Sequence, residues 1–420
     1  MNPSPCVQTG LDALAAESFR PLRGRRVGAI CNPTSVDGRL RHLADHLQFA
    51  EGVELVALFG PEHGVRADAQ DMIGVGPSVD SSTGVPIHSL YGDDEASLRP
   101  RADQLEGLDI LVFDVQDVGS RYYTFAATML YAMEAAEKAG LSFLVLDRPN
   151  PIGGETIEGP TVQPGFESFV GAHPVPIRHG LTVGELALLF KAEKRLDLDL
   201  KVIPCQGWRR SMLWPETGLP WVLPSPNMPT WETALVYPGA CLIEGTNLSE
   251  GRGTTRPFEL WGATWLDPDR IATGPDGRKR SAEDFQKAVP IVPGVRLRPC
   301  AFEPSFHKHA GRTCFGLQPH VEDPRSFQPV RCFTILLAWA RTLDPARFGW
   351  RTKQYEFRSN PIAIDLLYGS SRERKALEAI EAVDLTRASS SDVCNVFQPW
   401  QADEEHFRER RVPFLLYGVE

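Results

Sequence analysis

LDILVFDVQDVGSRYYTF, residues 108–125, starts as an apolar run and ends as a polar loop dense in charged, aromatic and small residues. An apolar run without polar alternation marks a strand covered on both faces, as in a parallel sheet. Outward from it, four more runs repeat the pattern: residues 26–32 (RVGAICN), 53–59 (VELVALF), 141–147 (LSFLVLD) and 201–205 (KVIPC). Between them lie helical patterns at residues 39–49, 97–105, 124–138 and 183–196. Gly140 stands where a helix C-terminal cap belongs, and Thr182-x-x-Glu185 reads as a capping box. Repeated strand–helix units predict an α/β fold with a Rossmann-like, doubly wound parallel sheet over residues 1–229. Ligands of such sheets bind beyond the carboxyl ends of the strands. The loops there (CNPTSVD, FGPEHGVRADAQD, DVQDVGSRYYTF and LDRPNPIGGE) are long and rich in Gly and Pro, so the site is expected among them.

Beyond Pro229 aromatics and prolines rise and the regular alternation loosens. Residues 230–420 read as a second, smaller α+β domain. It has helices near 332–341 and 374–382, strands near 295–299 and 314–317, and an exposed loop at 266–280. A chain of 420 residues is long enough for two cores. The net charge of -10 argues against nucleic-acid or anionic-membrane partners, which require a basic footprint. None of the eight cysteines forms a C-x-x-C pair, and several sit in apolar runs, as in a reducing compartment. The N-terminal MNPSPCVQTGLDAL has no signal-peptide pattern, and no apolar run approaches the roughly 20 residues of a membrane span. A cytoplasmic protein is the expectation.

Four constellations can carry chemistry. Glu62, in FGPEHGVR, follows a buried strand between turn-forming Gly and Pro. Partial burial would raise its pKa, as a general acid needs, although backbone N–H groups or Arg66 would equally satisfy a plain turn carboxylate. Asp114 and Asp117 precede Arg121, Tyr122 and Tyr123, a set suited to sugar binding or, alternatively, to a helix cap and core. Asn150, between two prolines, is either a presented amide or part of a shaped turn. Glu244, Asn247, Glu250 and Arg252 crowd the loop IEGTNLSEGRGTT, which lacks both phosphate-loop spacings. Arg252 has the fork to grip a carboxylate. His179 in PIRHG is a further candidate, and the Trp-rich stretch 208–231, with PSPNMPTW inside it, is either a sugar subsite or a link between domains. His42-x-x-x-His46 reads as a solvated helix face, and neither it nor His307-x-His309 offers a third ligand, so no metal is expected.

Taken together, NPTS, FGPEHGVR, FDVQDVGSRYYTF, LDRPNPIGG, EGP, PIRHGLTVGELA, PSPNMPT and ACLIEGTNLSEGRGTTRPFE resemble one bacterial family, the exo-acting β-N-acetylmuramidases. The resemblance runs from about Gly10 to the C-terminus and is strongest between Arg26 and Glu259. It implies a Rossmann-like domain, a smaller C-terminal domain and an active site between them. It also implies release of N-acetylmuramic acid (MurNAc) from MurNAc-containing disaccharides or short glycan fragments, without a cofactor. It carries the catalytic role to Glu62 and, less firmly, catalytic roles to Asp114, Glu244 and Glu250 and ligand-binding roles to Asn32, His63, Arg66, Arg121, Tyr122, Asn150, Asn247 and Arg252. Ala67 departs from the family pattern, which has Gly after the Arg, and many relatives carry export signals that this N-terminus does not show.

A glycosidase needs a second function opposite the acid. Asp114 or Asp117, Glu244 or Glu250, and the substrate's own 2-acetamido group all remain open, and Arg121 or Arg252 is placed to hold the lactyl carboxylate of MurNAc. Two rivals stand beside this reading: a non-catalytic muropeptide-binding module, and an esterase-type hydrolase on the same scaffold, which no G-x-S-x-G elbow supports. The sequence carries no signal of oligomeric state.

Overall fold

The five expected strands form and join two short ones in a single sheet. The computed structural model describes residues 7–66, 78–92, 94–266, 269, 293–381, 383 and 391–418. In it β1 (Arg26–Cys31), β2 (Glu54–Gly60), β3 (Ser78–Val79), β4 (Pro86–Ser89), β5 (Ile110–Asp114), β6 (Ser142–Leu146) and β7 (Leu200–Ile203) take the order β3-β4-β2-β1-β5-β6-β7. All pairings are parallel except β3 with β4. The chain winds one way from β1 through β2 to β4 and the other way from β5 to β7, which puts the switch point between β1 and β5. There Cys31 lies beside Asp114, so the two following loops leave the sheet at the same level. β3 and β4 escaped the sequence reading because they are short and partly exposed, with Pro86 opening β4.

The helices follow their local chemistry. Phe125–Ala139 ends at Gly140, whose φ of 68° is the left-handed conformation that glycine adopts without strain. At the start of Val183–Lys194 the expected capping box is made: Thr182 accepts from the Glu185 amide and the Glu185 carboxylate accepts from the Thr182 amide. The expected helix at 39–49 is shorter, Leu43–Phe49, because His42 is its N-cap and accepts from the Ala44 amide. His42 is therefore buried, not part of a solvated face. The pattern at 97–105 is interrupted at Pro100 into a 3₁₀ turn (Glu95–Leu98) and a single helical turn (Ala102–Leu105).

The second lobe holds an antiparallel sheet of order β8-β10-β9, made of β8 (Trp261–Ala263), β9 (Val295–Phe302) and β10 (Cys314–Val321). The expected helices appear as Pro329–Leu343 and Arg372–Ala379, joined by Trp231–Ala240, Ala363–Tyr368 and Ser391–Arg410. Most of the expected loop at 266–280, and Ala67, lie outside the described residues. One apolar cluster runs through both lobes, from Phe113, Met129 and Leu130 to Leu235, Phe333, Ile364 and Trp400. The tail returns to the first lobe, where Tyr417 donates to the Asp147 carboxylate at 2.5 Å and Arg411 to the Gly154 and Gly180 carbonyls at 3.0 and 2.9 Å. Among the described residues no helix is long and apolar enough to cross a membrane.

Candidate active site

A tight turn after β2 sets the first functional group. The Gly64 amide bonds the Pro61 carbonyl at 3.0 Å, with His63 at φ 74° and Gly64 at φ 80°. A Cβ on Gly60 would stand 3.1 Å from the Val65 nitrogen, so the turn folds back closely onto this residue. Glu62 is thereby held 8% exposed, and one of its oxygens accepts from the Thr124 hydroxyl at 3.1 Å. Thr124 is the N-cap of Phe125–Ala139, so the turn after β2 and the helix after β5 fix this carboxylate between them.

Glu62 lies in a cleft of about 650 Å³, counting its solvent-open part. One wall comes from the first lobe: Glu62, His63, Tyr122 to Phe125, Val170, Ser225 and Met228. The other comes from the second lobe: Tyr237, Glu244, Arg252, Phe258, His307, Arg351, Tyr355 and Glu356. Tyr123, Tyr237 and Phe258 stack edge to face at 5.5 and 4.8 Å, forming an apolar surface. Burial pushes the Tyr123, Tyr237 and Tyr355 phenols up, so they remain neutral.

The far wall is an ionic lattice. Glu244 accepts from Arg252 at 2.8 Å through one oxygen and from the Tyr355 hydroxyl at 2.8 Å through the other. Arg252 lies 5.0 Å over the Phe258 ring, with its Nε 3.5 Å from Glu250. Glu250 is buried one layer back, 2.9 Å from the Lys308 ammonium and 3.0 Å from His307 Nδ1. Burial pushes its carboxyl up, but Lys308, His307 and Arg252 together prevail and hold it well below the usual range. Glu250 is thus an ionised counter-ion that orients two cleft residues. Beside this lattice, Glu356 (φ 44°) and Phe357 (φ 67°) are consecutive non-glycine residues in the left-handed region. The Tyr91 hydroxyl reaches Glu356 from the first lobe at 3.4 Å.

Two family models, the N-terminal and C-terminal parts of exo-β-N-acetylmuramidase NamZ, match residues 27–232 and 235–417. A peptidoglycan β-N-acetylmuramidase NamZ from Bacillus subtilis (strain 168) is 42% identical over 413 residues, covering 98% of this chain and 92% of that protein. Two crystal structures of DUF1343 family proteins from Bacteroides fragilis superpose with TM-scores of 0.83 and 0.72 at 34% and 28% identity. Each comparison covers 99% of this chain and 100% of the other. The chain belongs to the exo-β-N-acetylmuramidase NamZ family. By that membership it is a glycoside hydrolase.

Of the positions expected from the sequence, the cleft gathers Glu62, His63, Tyr122, Glu244 and Arg252, with Glu250 directly behind. The others do not line it. Asp114 is fully buried and spent on Arg148, whose Nε and Nη2 donate at 2.5 and 2.9 Å. Asp117 accepts from the Gly119 amide at 2.6 Å and faces His179 at 3.4 Å, while His179 Nδ1 accepts from the Leu181 amide. Arg121, expected on the ligand, instead joins the lobes by donating to the Pro160, Val175 and Leu367 carbonyls. Asn150 closes its own turn onto the Ile152 amide and donates to the Leu181 carbonyl, and Asn32 does the same work for the Thr34 amide. Arg66 pairs with Asp80 and Asp45. Asn247 exchanges bonds with Arg347 and Gly349. These polar residues build the loops that carry the cleft.

The sequence reading missed Thr124, Tyr237, Phe258, His307, Arg351, Tyr355 and Glu356 as site residues. His307 stands out in the sequence only as half of a metal-type pair with His309, and residues 351–356 stand in no recognisable motif. Ser225 and Met228, in the Trp-rich stretch, do line the cleft.

Proposed function

We propose that this NamZ-family glycosidase releases MurNAc from the non-reducing end of peptidoglycan fragments, with Glu62 as the general acid. The observation that carries this reading is the fixed position of Glu62 in the cleft, on a tight turn and against Thr124. The C1–O bond to the departing sugar breaks as Glu62 gives its proton to the leaving oxygen. Water then adds at C1 and returns a proton to Glu62. For the second function, Asp114, Asp117 and Glu250 are disfavoured because they do not line the cleft, and both Glu244 oxygens are already bonded. That arrangement favours attack on C1 by the substrate's own 2-acetamido oxygen as the leaving bond breaks, with a cleft carboxylate or tyrosine orienting the amide. The attack gives a cyclic oxazolinium, whose C1–O bond the incoming water then breaks to restore the acetamide.

The reading is tested by digesting a defined glycan of alternating MurNAc and GlcNAc with MurNAc at its non-reducing end, and following early products by mass spectrometry. Free MurNAc with a remainder shortened by one sugar is expected. Internal fragments appearing before free MurNAc contradict it.

A further inference from the structure

The cleft presents three carboxylates (Glu62, Glu244 and Glu356) to a substrate that is itself an anion if the proposed function holds. As the acid Glu62 is neutral and Glu244 is already paired with Arg252, so a negatively charged sugar gains from this cleft only where a further cation meets its charge. MurNAc differs from GlcNAc by a lactyl ether whose carboxylate is the only charge on the monosaccharide, so a cation there decides between the two sugars.

The cationic side chains of this wall are already committed, with one exception. Arg252 is bound to Glu244 at 2.8 Å and lies 3.5 Å from Glu250. Lys308 spends its ammonium on Glu250 and on the Ile243 and Leu248 carbonyls. Arg351 lines the same cleft with a different set of partners. Its Nη2 donates to the Gln354 carbonyl at 3.1 Å, and its guanidinium lies 4.9 Å from the Tyr355 ring centre. Among the described residues no carboxylate pairs with it. Its backbone amide donates to the Gly245 carbonyl at 2.8 Å, which ties this segment to the loop that carries Glu244. The stack on Tyr355 and the bond to Gln354 limit the rotamer while leaving most of the five guanidinium N–H donors for a ligand.

We propose that Arg351 is the residue that reads the lactyl carboxylate, a specificity-determining contact resting on the muramidase reading above. The fork matches a carboxylate in two-point geometry, which a lysine ammonium does not reproduce. The contact forms in the ground state as well as in the transition state, so its loss falls mainly on KM.

The test compares wild type, Arg351→Gln and Arg351→Lys on the 4-nitrophenyl β-glycosides of MurNAc and of its lactamide, in which a neutral amide replaces the carboxylate. Thermal unfolding confirms that each variant is folded. For Arg351→Gln, kcat/KM on the MurNAc glycoside is expected to fall roughly 10- to 100-fold, mostly through KM, the size of a charge-assisted hydrogen bond. The lactamide should change less than about 3-fold, and Arg351→Lys should lie between. Equal losses on both glycosides, or no loss on either, overturn the assignment. Calorimetric titration of free MurNAc and free GlcNAc into the same proteins separates this assignment from the proposed function. If wild type turns over neither glycoside yet prefers MurNAc over GlcNAc, and Arg351→Gln removes that preference, the hydrolytic reading fails and the carboxylate contact stands. Equal binding of the two sugars by wild type overturns the contact.

Discussion

Asp114 and Glu62 both follow buried strands, yet their surroundings assign them opposite work. Asp114 meets Arg148 in a pair that is almost wholly desolvated, 0% and 4% exposed, and burial raises its pKa against the pull of that guanidinium. Removing one partner of a buried pair leaves the other charge uncompensated, at a cost of about 3–5 kcal/mol. Asp114→Ala is therefore expected to lower unfolding free energy by about that amount in a denaturant titration. Turnover per folded molecule should change little. A large loss of turnover with unchanged stability would return Asp114 to the chemistry. Sequence could not separate the two carboxylates, because the pairing of Asp114 with Arg148 spans 34 positions and joins two strand ends.

At the scale of elements, the helix Pro329–Leu343 begins without a side-chain cap of its own. Glu158 of the first lobe supplies one, accepting from the Arg331 amide at 2.7 Å. Burial pushes the Glu158 carboxyl up to about 7 from 4.5, and Arg331 and Arg178 offset only part of that. A carboxyl raised in the folded state gives stability that is complete below its unfolded pKa and fades as pH rises through the folded one. Glu158→Gln cannot ionise and escapes that loss. Its stability relative to wild type is expected to improve between pH 4.5 and 7 by up to about 3 kcal/mol, at about 1.4 kcal/mol per pKa unit. Denaturation curves at several pH values check it, and parallel pH profiles for the two proteins would contradict it. Elements of this kind were the most legible part of the sequence, since continuous apolar runs and the Thr182 capping box act locally. The breaks at Leu40, which has φ 66°, and at Pro100 fall inside segments read as continuous helix, because the outcome there depends on tertiary packing.

For the whole molecule, the site was half legible. Its first wall comes from loops at the carboxyl ends of parallel strands, where the doubly wound sheet requires a site, and Glu62 and Tyr122 could be read there. The opposite wall depends on how the second lobe docks. Tyr355, Glu356 and Arg351 lie more than two hundred residues from Glu62 and meet it only because one core runs through both lobes. Arg121 shows the converse error. It is a charged residue in a ligand-rich motif that binds two carbonyls of its own lobe and the Leu367 carbonyl of the other, with desolvation lowering its pKa to about 10.

The central claim is that Glu62 protonates the leaving oxygen, and it is tested most directly by Glu62→Gln on two leaving groups. With MurNAc–GlcNAc, whose sugar alcohol departs poorly without a proton, kcat is expected to fall about 10²- to 10⁴-fold. With 4-nitrophenyl β-MurNAc, whose leaving group departs readily as an anion, the loss in bond cleavage should be far smaller. Equal losses on both substrates, or full activity on the disaccharide, would contradict Glu62 as the acid.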